Sequence, residues 1–272
     1  MEQLIVLKQR IKTVETIRKV THAMRLVSMS THSRLLEKKT HLESYKDACN
    51  KVIDAADSQI APPVPSVLSH ELFILISSHK GLCGTFNSSL AKFFERQVPH
   101  LPPHAHYIGI GTFAIDYLEK RKVDQQASYP ISSASDFVTI PAALADLIIA
   151  SPITYSKITV YSTKEKTFFV QVPQEAVIYP HTSSEVRPQE TVRYSYEQAP
   201  NLLTQAIERL LLTVSLQELL YQSLLAEQAA RFISMDSSTR NADSLITTMK
   251  LGYNKVRQAT ITRELTELSA TL

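Results

Sequence analysis

Helix breakers occupy only the middle of this chain. All 13 prolines lie between Pro62 and Pro200, and four of the five glycines (Gly81, Gly84, Gly109 and Gly111) lie there too. Only Gly252 stands outside. Proline removes a backbone donor and clashes with the preceding helical turn, while glycine weakens helix interiors. Residues 1–61 and 201–272 are therefore free to run as two uninterrupted helices. Helices in globular proteins average about 11 or 12 residues, so two segments of this length are far from ordinary. If continuous, each extends on the order of 90 Å at 1.5 Å per residue.

The apolar spacing agrees. Leu4, Leu7, Ile11, Val14, Ile17, Val20 or Thr21, Met24 and Val27 step by three or four residues. Leu212, Leu216, Leu219, Leu220, Ser223 and Leu224 begin a comparable stripe, continued by Leu245, Met249, Tyr253 and Val256. A narrow stripe is buried by one partner helix, as in a coiled coil. Long single helices draw their stability from packing, and the nearest partner for each end is the other. The expected fold is an α/β chain in which a long antiparallel coiled coil of the terminal helices carries an inserted, Rossmann-like α/β domain. The expected division is 1–61 for the first shaft helix, 62–200 for the globular domain and linker, and 201–272 for the second shaft helix.

Within the insert, residues 71–77 form an apolar run suited to a buried strand, followed by the turn Lys80-Gly-Leu-Cys-Gly84 and a helical stretch over 87–98. Residues 106–111 predict a second strand and 113–122 a second helix. A third helix is expected over 140–150, with Ser135 or Asp136 near its start. Residues 157–162 and 168–172 alternate like the arms of a hairpin. Strands alternating with helices argue for a parallel sheet covered on its faces. Residues 180–200, polar and proline-bearing, read as a linker.

Catalytic chemistry is hard to find. No GxxxxGK[ST] phosphate loop occurs, so the chain is not expected to hydrolyse nucleotide itself. Gly81 and Gly84 could let backbone amides approach a phosphate, but a tight strand-to-helix turn explains them without a ligand. His100, His104 and His106 have a spacing that metal ions use, yet they sit among Pro99, Pro102 and Pro103 in a stretch that reads as an exposed loop. Cys83 has no evident partner base, and Cys49 and Cys83 form no CxxC pair. No enzyme activity, cofactor or metal is expected. No apolar stretch approaches the roughly 20 residues needed to cross a bilayer, and residues 1–20 resemble neither a signal nor a transit peptide.

Charge is mildly basic, with a net +3. It concentrates near the start, where Lys8, Arg10, Lys12, Arg18, Lys19, Arg25, Arg34, Lys38 and Lys39 face Glu2, Glu15 and Glu37. Such a helix can be a solvated surface, a surface for acidic proteins, or a nucleic-acid contact.

Three stretches carry a resemblance. Residues 11–27 (IKTVETIRKVTHAMRLV) resemble the first helix of the γ subunit of F-type ATP synthases. Residues 80–87 (KGLCGTFN) resemble that family's DRGLCGGxN turn. Residues 225–231 (LAEQAAR), 241–243 (NAD) and 253–265 (YNKVRQATITREL) resemble its last helix. The matches are in order and span the chain. His79 stands where the family usually has Asp, Thr85 replaces a glycine, Thr31-His32 replaces Ser-Lys, and Ser269-Ala-Thr-Leu272 lacks a Gly-Ala tail.

This resemblance implies a central rotor stalk that couples ion flow to ATP synthesis or hydrolysis, with ATP chemistry held in a surrounding ring of α and β subunits. It implies the ε subunit and the membrane c-ring as further partners, with no nucleic acid and no direct membrane insertion. It assigns Met24, Arg25, Arg257, Gln258, Thr262 and Glu264 to contacts between shaft and ring, and Gly81, Cys83 and Gly84 to a structural turn. A peripheral position on the cytoplasmic side of a bacterial inner membrane follows. The competing expectation is a coiled-coil adaptor or nucleic-acid binder acting through its basic first helix.

Overall fold

The computed structural model describes residues 2–57, 70–100, 102, 105–131, 136–153, 155–180 and 200–270. Two helices dominate it: α1 (Glu2–Asp57, 56 residues) and α5 (Pro200–Ala270, 71 residues). Pro200 opens α5, where its missing N–H costs nothing and its fixed φ suits the first turn. Between them lie β1 (His70–Ile76), α2 (Phe86–Gln97), β2 (Ala105–Ile110), α3 (Thr112–Lys120), β3 (Gln125–Tyr129), α4 (Asp136–Ala150), β4 (Tyr155–Thr167) and β5 (Val170–Tyr179). The chain divides into two compact units, one of residues 1–30 with 231–272 and one of residues 31–230.

In the larger unit the five strands form one sheet in the order β3-β2-β1-β4-β5. β1 pairs in parallel with β2 and β4, β2 in parallel with β3, and β5 closes the sheet antiparallel to β4. Central parallel strands are covered on both faces, which is why residues 72–76 read as one unbroken apolar run. Their side chains alternate: Leu72, Ile74 and Ile76 enter a core with Ile140, Leu144 and Ile148 of α4 and Leu212, Leu216 and Leu220 of α5. Phe73 and Leu75 turn the other way, to Leu90 and Phe94 of α2 and Ala114 and Leu118 of α3. The sequence reading of a parallel sheet with helices on its faces holds, and α5 also covers one face.

Two strands depart from that reading. β3 went unrecognised, because Gln125-Gln-Ala-Ser-Tyr129 has no apolar alternation; it is an edge strand paired only with β2, and polar side chains suit an edge. The hairpin arm expected over 168–172 starts later, at Val170, with Phe168 and Phe169 forming the turn. Aromatic residues favour strands, but Gln171 donates its side-chain amide to the Phe168 carbonyl (2.8 Å) and draws the chain into a turn there. Ser135, His104, Pro103 and residues 181–199 of the expected linker lie outside the described residues.

In the smaller unit α1 and α5 run antiparallel. Arg18 bonds Asp243 (3.0 Å), Arg25 bonds Asp236 (2.6 Å) and Lys250 bonds Glu15 (2.9 Å). The Thr239 hydroxyl lies 2.9 Å from that of Thr21. Covered or half-covered positions on α1 fall at Leu4, Leu7, Ile11, Val14, Arg18, Thr21, Arg25 and Ser28. That alternation of three and four residues is the heptad repeat of a left-handed supercoil. On α5 the same repeat passes through Met235, Thr239, Ala242, Ile246, Met249, Tyr253, Val256 and Thr260.

The expected stripes are therefore corrected in part. Ile17, Val20 and Val27 are exposed, Val27 at 65%, and so is Leu245. From Val14 the apolar pattern takes two successive steps of three, each rotating about 60° short of a full turn, and so leaves the seam. The seam continues through polar residues instead. In the larger unit the two helices also meet, through Lys46 with Glu218 (2.7 Å), the Tyr221 hydroxyl donating to the Leu35 carbonyl, and Cys49 against Ile207 and Val214.

Candidate functional site

The turn after β1 sits where strand order reverses, between β2 and β4, the place at which open α/β sheets usually bind ligands. Leu82 (φ 64°) and Gly84 (φ 60°) both adopt the left-handed conformation. Asn87, in the first turn of α2, holds the turn together: it accepts from the Ser78 amide (3.2 Å) and donates to the Ser78 hydroxyl (2.7 Å) and towards Cys83 Sγ (3.6 Å). Cys83 and Phe86 are buried against Ala226 and Ala230 of α5. Gly111 supports the same corner from β2, since a Cβ there would come within 2.7 Å of the Ser77 carbonyl. Gly81 differs, with nothing within 4 Å of the position its Cβ would take.

What this corner can bind is decided by Glu227 of α5. Its carboxylate, 3% exposed, accepts from the His79 amide at 3.2 Å, while the Thr112 hydroxyl donates to the His79 carbonyl at 2.9 Å. An anion at the turn would have to displace a carboxylate and tolerate its charge. The geometry favours a corner closed by α5 over a phosphate cradle. Asn87 and Glu227 carry this arrangement, yet sequence reasoning gave neither a role. The signal was a polar residue opening a helix right after a glycine turn, and an acid inside an alanine-rich stretch of α5.

No three or more metal-binding side chains converge among the described residues. His106 lies 3.9 Å from Asp124 with its ring tilted 45° to that of His70, and Cys49 and Cys83 are buried free thiols. Burial raises the Tyr107 phenol to about 12, with the nearby Glu71 carboxylate adding to it, so this phenol stays protonated at neutral pH.

The residues assigned to ring contacts fall into two sets. Met24 is half-buried at the flank of the seam. Arg25 is half-buried and donates to Asp236, which also pairs with Arg240 (2.8 Å), so its charge is used within the helix pair. Arg257, Gln258, Thr262 and Glu264 are all exposed on the last turns of α5. Thr262 donates to the Gln258 carbonyl (3.0 Å), a local helix bond. Arg257 and Glu264 form no ion pair among the described residues. From Ile261 onward every described α5 side chain is exposed. The structure does not gather these residues into a pocket; it displays them along helix surfaces, with the exposed Ile17, Val20, Leu26 and Val27.

No described helix is long and apolar enough to cross a membrane. On α1, Arg18, Arg25 and Lys39 are each paired with a carboxylate, which lowers the charge available to a polyanion.

Comparison with known proteins accounts for this geometry. A family model described as ATP synthase matches residues 3–271. The ATP synthase gamma chain of Clostridium novyi is 29% identical over 281 residues, covering 97% of this chain and 95% of that protein. The ATP synthase gamma chain of Wolbachia pipientis is 26% identical over 286 residues, covering 98% of both. Among solved structures, a chain of the Euglena gracilis mitochondrial ATP synthase (OSCP/F1/c-ring, rotational state 3) superposes with a TM-score of 0.73. It is 14% identical, with 99% of this chain and 93% of that one covered. With a whole-length family match, a shared fold and relatives of one kind, the chain belongs to the ATP synthase gamma-chain family.

Proposed function

We propose that this chain is the central rotor stalk of an F-type ATP synthase, a non-catalytic subunit that couples ion flow to ATP synthesis or hydrolysis. The observation that carries the reading is the antiparallel α1–α5 pair with apolar side chains left exposed outside its seam. A protein that worked alone would gain by burying Ile17, Val20 and Val27; a stalk needs them to face other subunits. A stalk surface that differs around its axis stabilises a different conformation in each catalytic subunit it faces, and turning it shifts those populations.

The three-part division follows: 1–61 and 201–272 form the shaft, and 62–200 forms the part that meets the remaining rotor. The partners are α and β subunits in a ring around the shaft, the ε subunit, and the membrane c-ring. The c-ring is supported by similar structures, which come from ATP synthase rotor, c-ring and central-stalk assemblies. A bacterial inner membrane, with the chain peripheral on its cytoplasmic side, fits relatives drawn from bacteria. Met24, Arg25, Arg257, Gln258, Thr262 and Glu264 are the proposed shaft contacts, and the turn with Gly81, Cys83 and Gly84 is structural.

Reconstitution tests the reading. Ring proteins mixed with this chain should co-elute as one complex with one copy per ring and altered ATP turnover. Arg257→Ala with Gln258→Ala should reduce that turnover roughly tenfold, in line with the loss of buried polar contacts at an interface, while leaving helix content unchanged. Absence of any complex would refute the stalk, and an unchanged turnover in the double variant would refute the contact assignment.

A further inference from the structure

The β4–β5 hairpin reaches past the sheet that anchors it. β4 pairs with β1 only as far as Tyr161, whereas its pairing with β5 continues to Thr167 and Val170. The projecting part is fixed to α1. His32 Nε2 lies 2.8 Å from Glu165 Oε2, with both side chains largely buried. The His32 ring meets Phe168 edge to face (centroids 4.9 Å), and Phe168 meets Phe169 the same way (5.2 Å). Three rings thus run from the helix to the tip, and Phe169 at its end is 74% exposed.

Glu165 faces α1 through its contact with His32, while Lys164 and Lys166 on either side of it are exposed. Lys164 sits opposite Val172 in the ladder, and Val170 and Val172 are exposed beside it. Neither lysine has a carboxylate partner among the described residues. The exposed side of the tip therefore combines two ammonium groups that have no carboxylate partner among the described residues with Phe169, Val170 and Val172. An aromatic anchor already held in place loses little freedom on binding, and that is the usual character of an interface anchor.

We propose that this tip is a docking finger for an acidic protein surface, which seats Phe169 in an apolar recess and pairs carboxylates with Lys164 and Lys166. Charge complementarity selects the partner: the finger offers two cations and no outward-facing anion. The inference rests on the stalk reading, in which the acidic surface belongs to a ring subunit passed during rotation. Two lysines and one phenylalanine are too few to anchor a protein to lipid, which takes two membrane-binding signals of larger area.

The test uses full-length chain and ring proteins. Phe169→Ser, Lys164→Glu with Lys166→Glu, and His32→Ala are compared with the natural sequence for affinity to the ring at low and at physiological salt. The first two should each weaken binding about tenfold, and charge reversal should also flatten the salt dependence. His32→Ala keeps every surface group but frees the finger, so it should give a smaller loss, with an unchanged circular dichroism spectrum. If the natural chain binds the ring and all variants bind equally well, the finger is wrong while the stalk stands. If the natural chain does not bind at all, the stalk reading fails first. Flotation of the chain with phosphatidylglycerol vesicles, abolished by Phe169→Ser, would overturn the proposal in favour of a lipid surface.

Discussion

At the scale of single residues, the corner after β1 separates glycines by what surrounds them. Gly111 has φ 88° and would place a Cβ 2.7 Å from a backbone carbonyl. Gly111→Ala should lose about 2–4 kcal/mol, combining left-handed strain with displacement of rigid backbone. Gly81→Ala meets only open space and should change stability by no more than about 0.5 kcal/mol. Urea midpoints of the two variants check this. Equal losses would mean the corner is organised differently. Glu208 of α5 gives a pH-linked counterpart. Burial raises its carboxyl above the ordinary value of 4.5, so ionisation is harder in the folded chain than in the unfolded one. Its contribution is favourable below the ordinary value and lost as pH rises through the raised one. Glu208→Gln should therefore stabilise the chain slightly at neutral pH and leave it unchanged near pH 3. Thermal melts at the two pH values measure it.

At the scale of elements, the heptad seam makes a prediction that hydrophobicity alone would reverse. Val27 is apolar and exposed, while Ser28 is polar and 1% exposed. Val27→Ser should be nearly neutral for stability, and Ser28→Leu should cost about 1–3 kcal/mol by overpacking. Denaturant midpoints that rank them the other way would contradict the register. The same seam explains which parts of the fold could be read beforehand. Two long terminal helices follow from where proline and glycine are absent. Strands β1, β2 and β4 follow from apolar runs, because central strands are buried on both faces. β3 was illegible since an edge strand with one partner needs no apolar face. The side of α1 that pairs with α5 was half legible: Leu4 to Val14 mark it, but Arg18, Thr21 and Ser28 occupy it further along. Polar atoms are satisfied there by partners 211 to 225 residues away, as in Arg25–Asp236 and Arg18–Asp243, and nothing local announces such pairs. The assigned contact residues were legible only through family resemblance, since exposed helix residues leave no periodic mark. Their geometry is that of a surface, with no pocket to gather them.

At the scale of the whole molecule, a member of the ATP synthase gamma-chain family that exposes apolar residues along a helix pair acts through what it touches. The pairing of its helices depends on charge as well as packing. Lys250 donates to Glu15 and holds that carboxyl below the ordinary 4.5, so the contribution is present above that value and is lost as pH falls through the lowered one. The ion pair should thus survive mild acid and break only in strong acid; an NMR titration of the Glu15 carboxyl should give a lower midpoint in the natural chain than in Lys250→Met, and equal midpoints would contradict it. The central claim, that this chain turns inside a ring of catalytic subunits, has a direct measurement. Both native cysteines are buried, so Lys120→Cys on the exposed end of α3 gives a single accessible site for a bead or dye. With the ring immobilised and ATP supplied, the stalk account predicts sustained rotation of the label in one direction, halted when ATP is withdrawn. A complex that hydrolyses ATP with the label bound and stationary would contradict it.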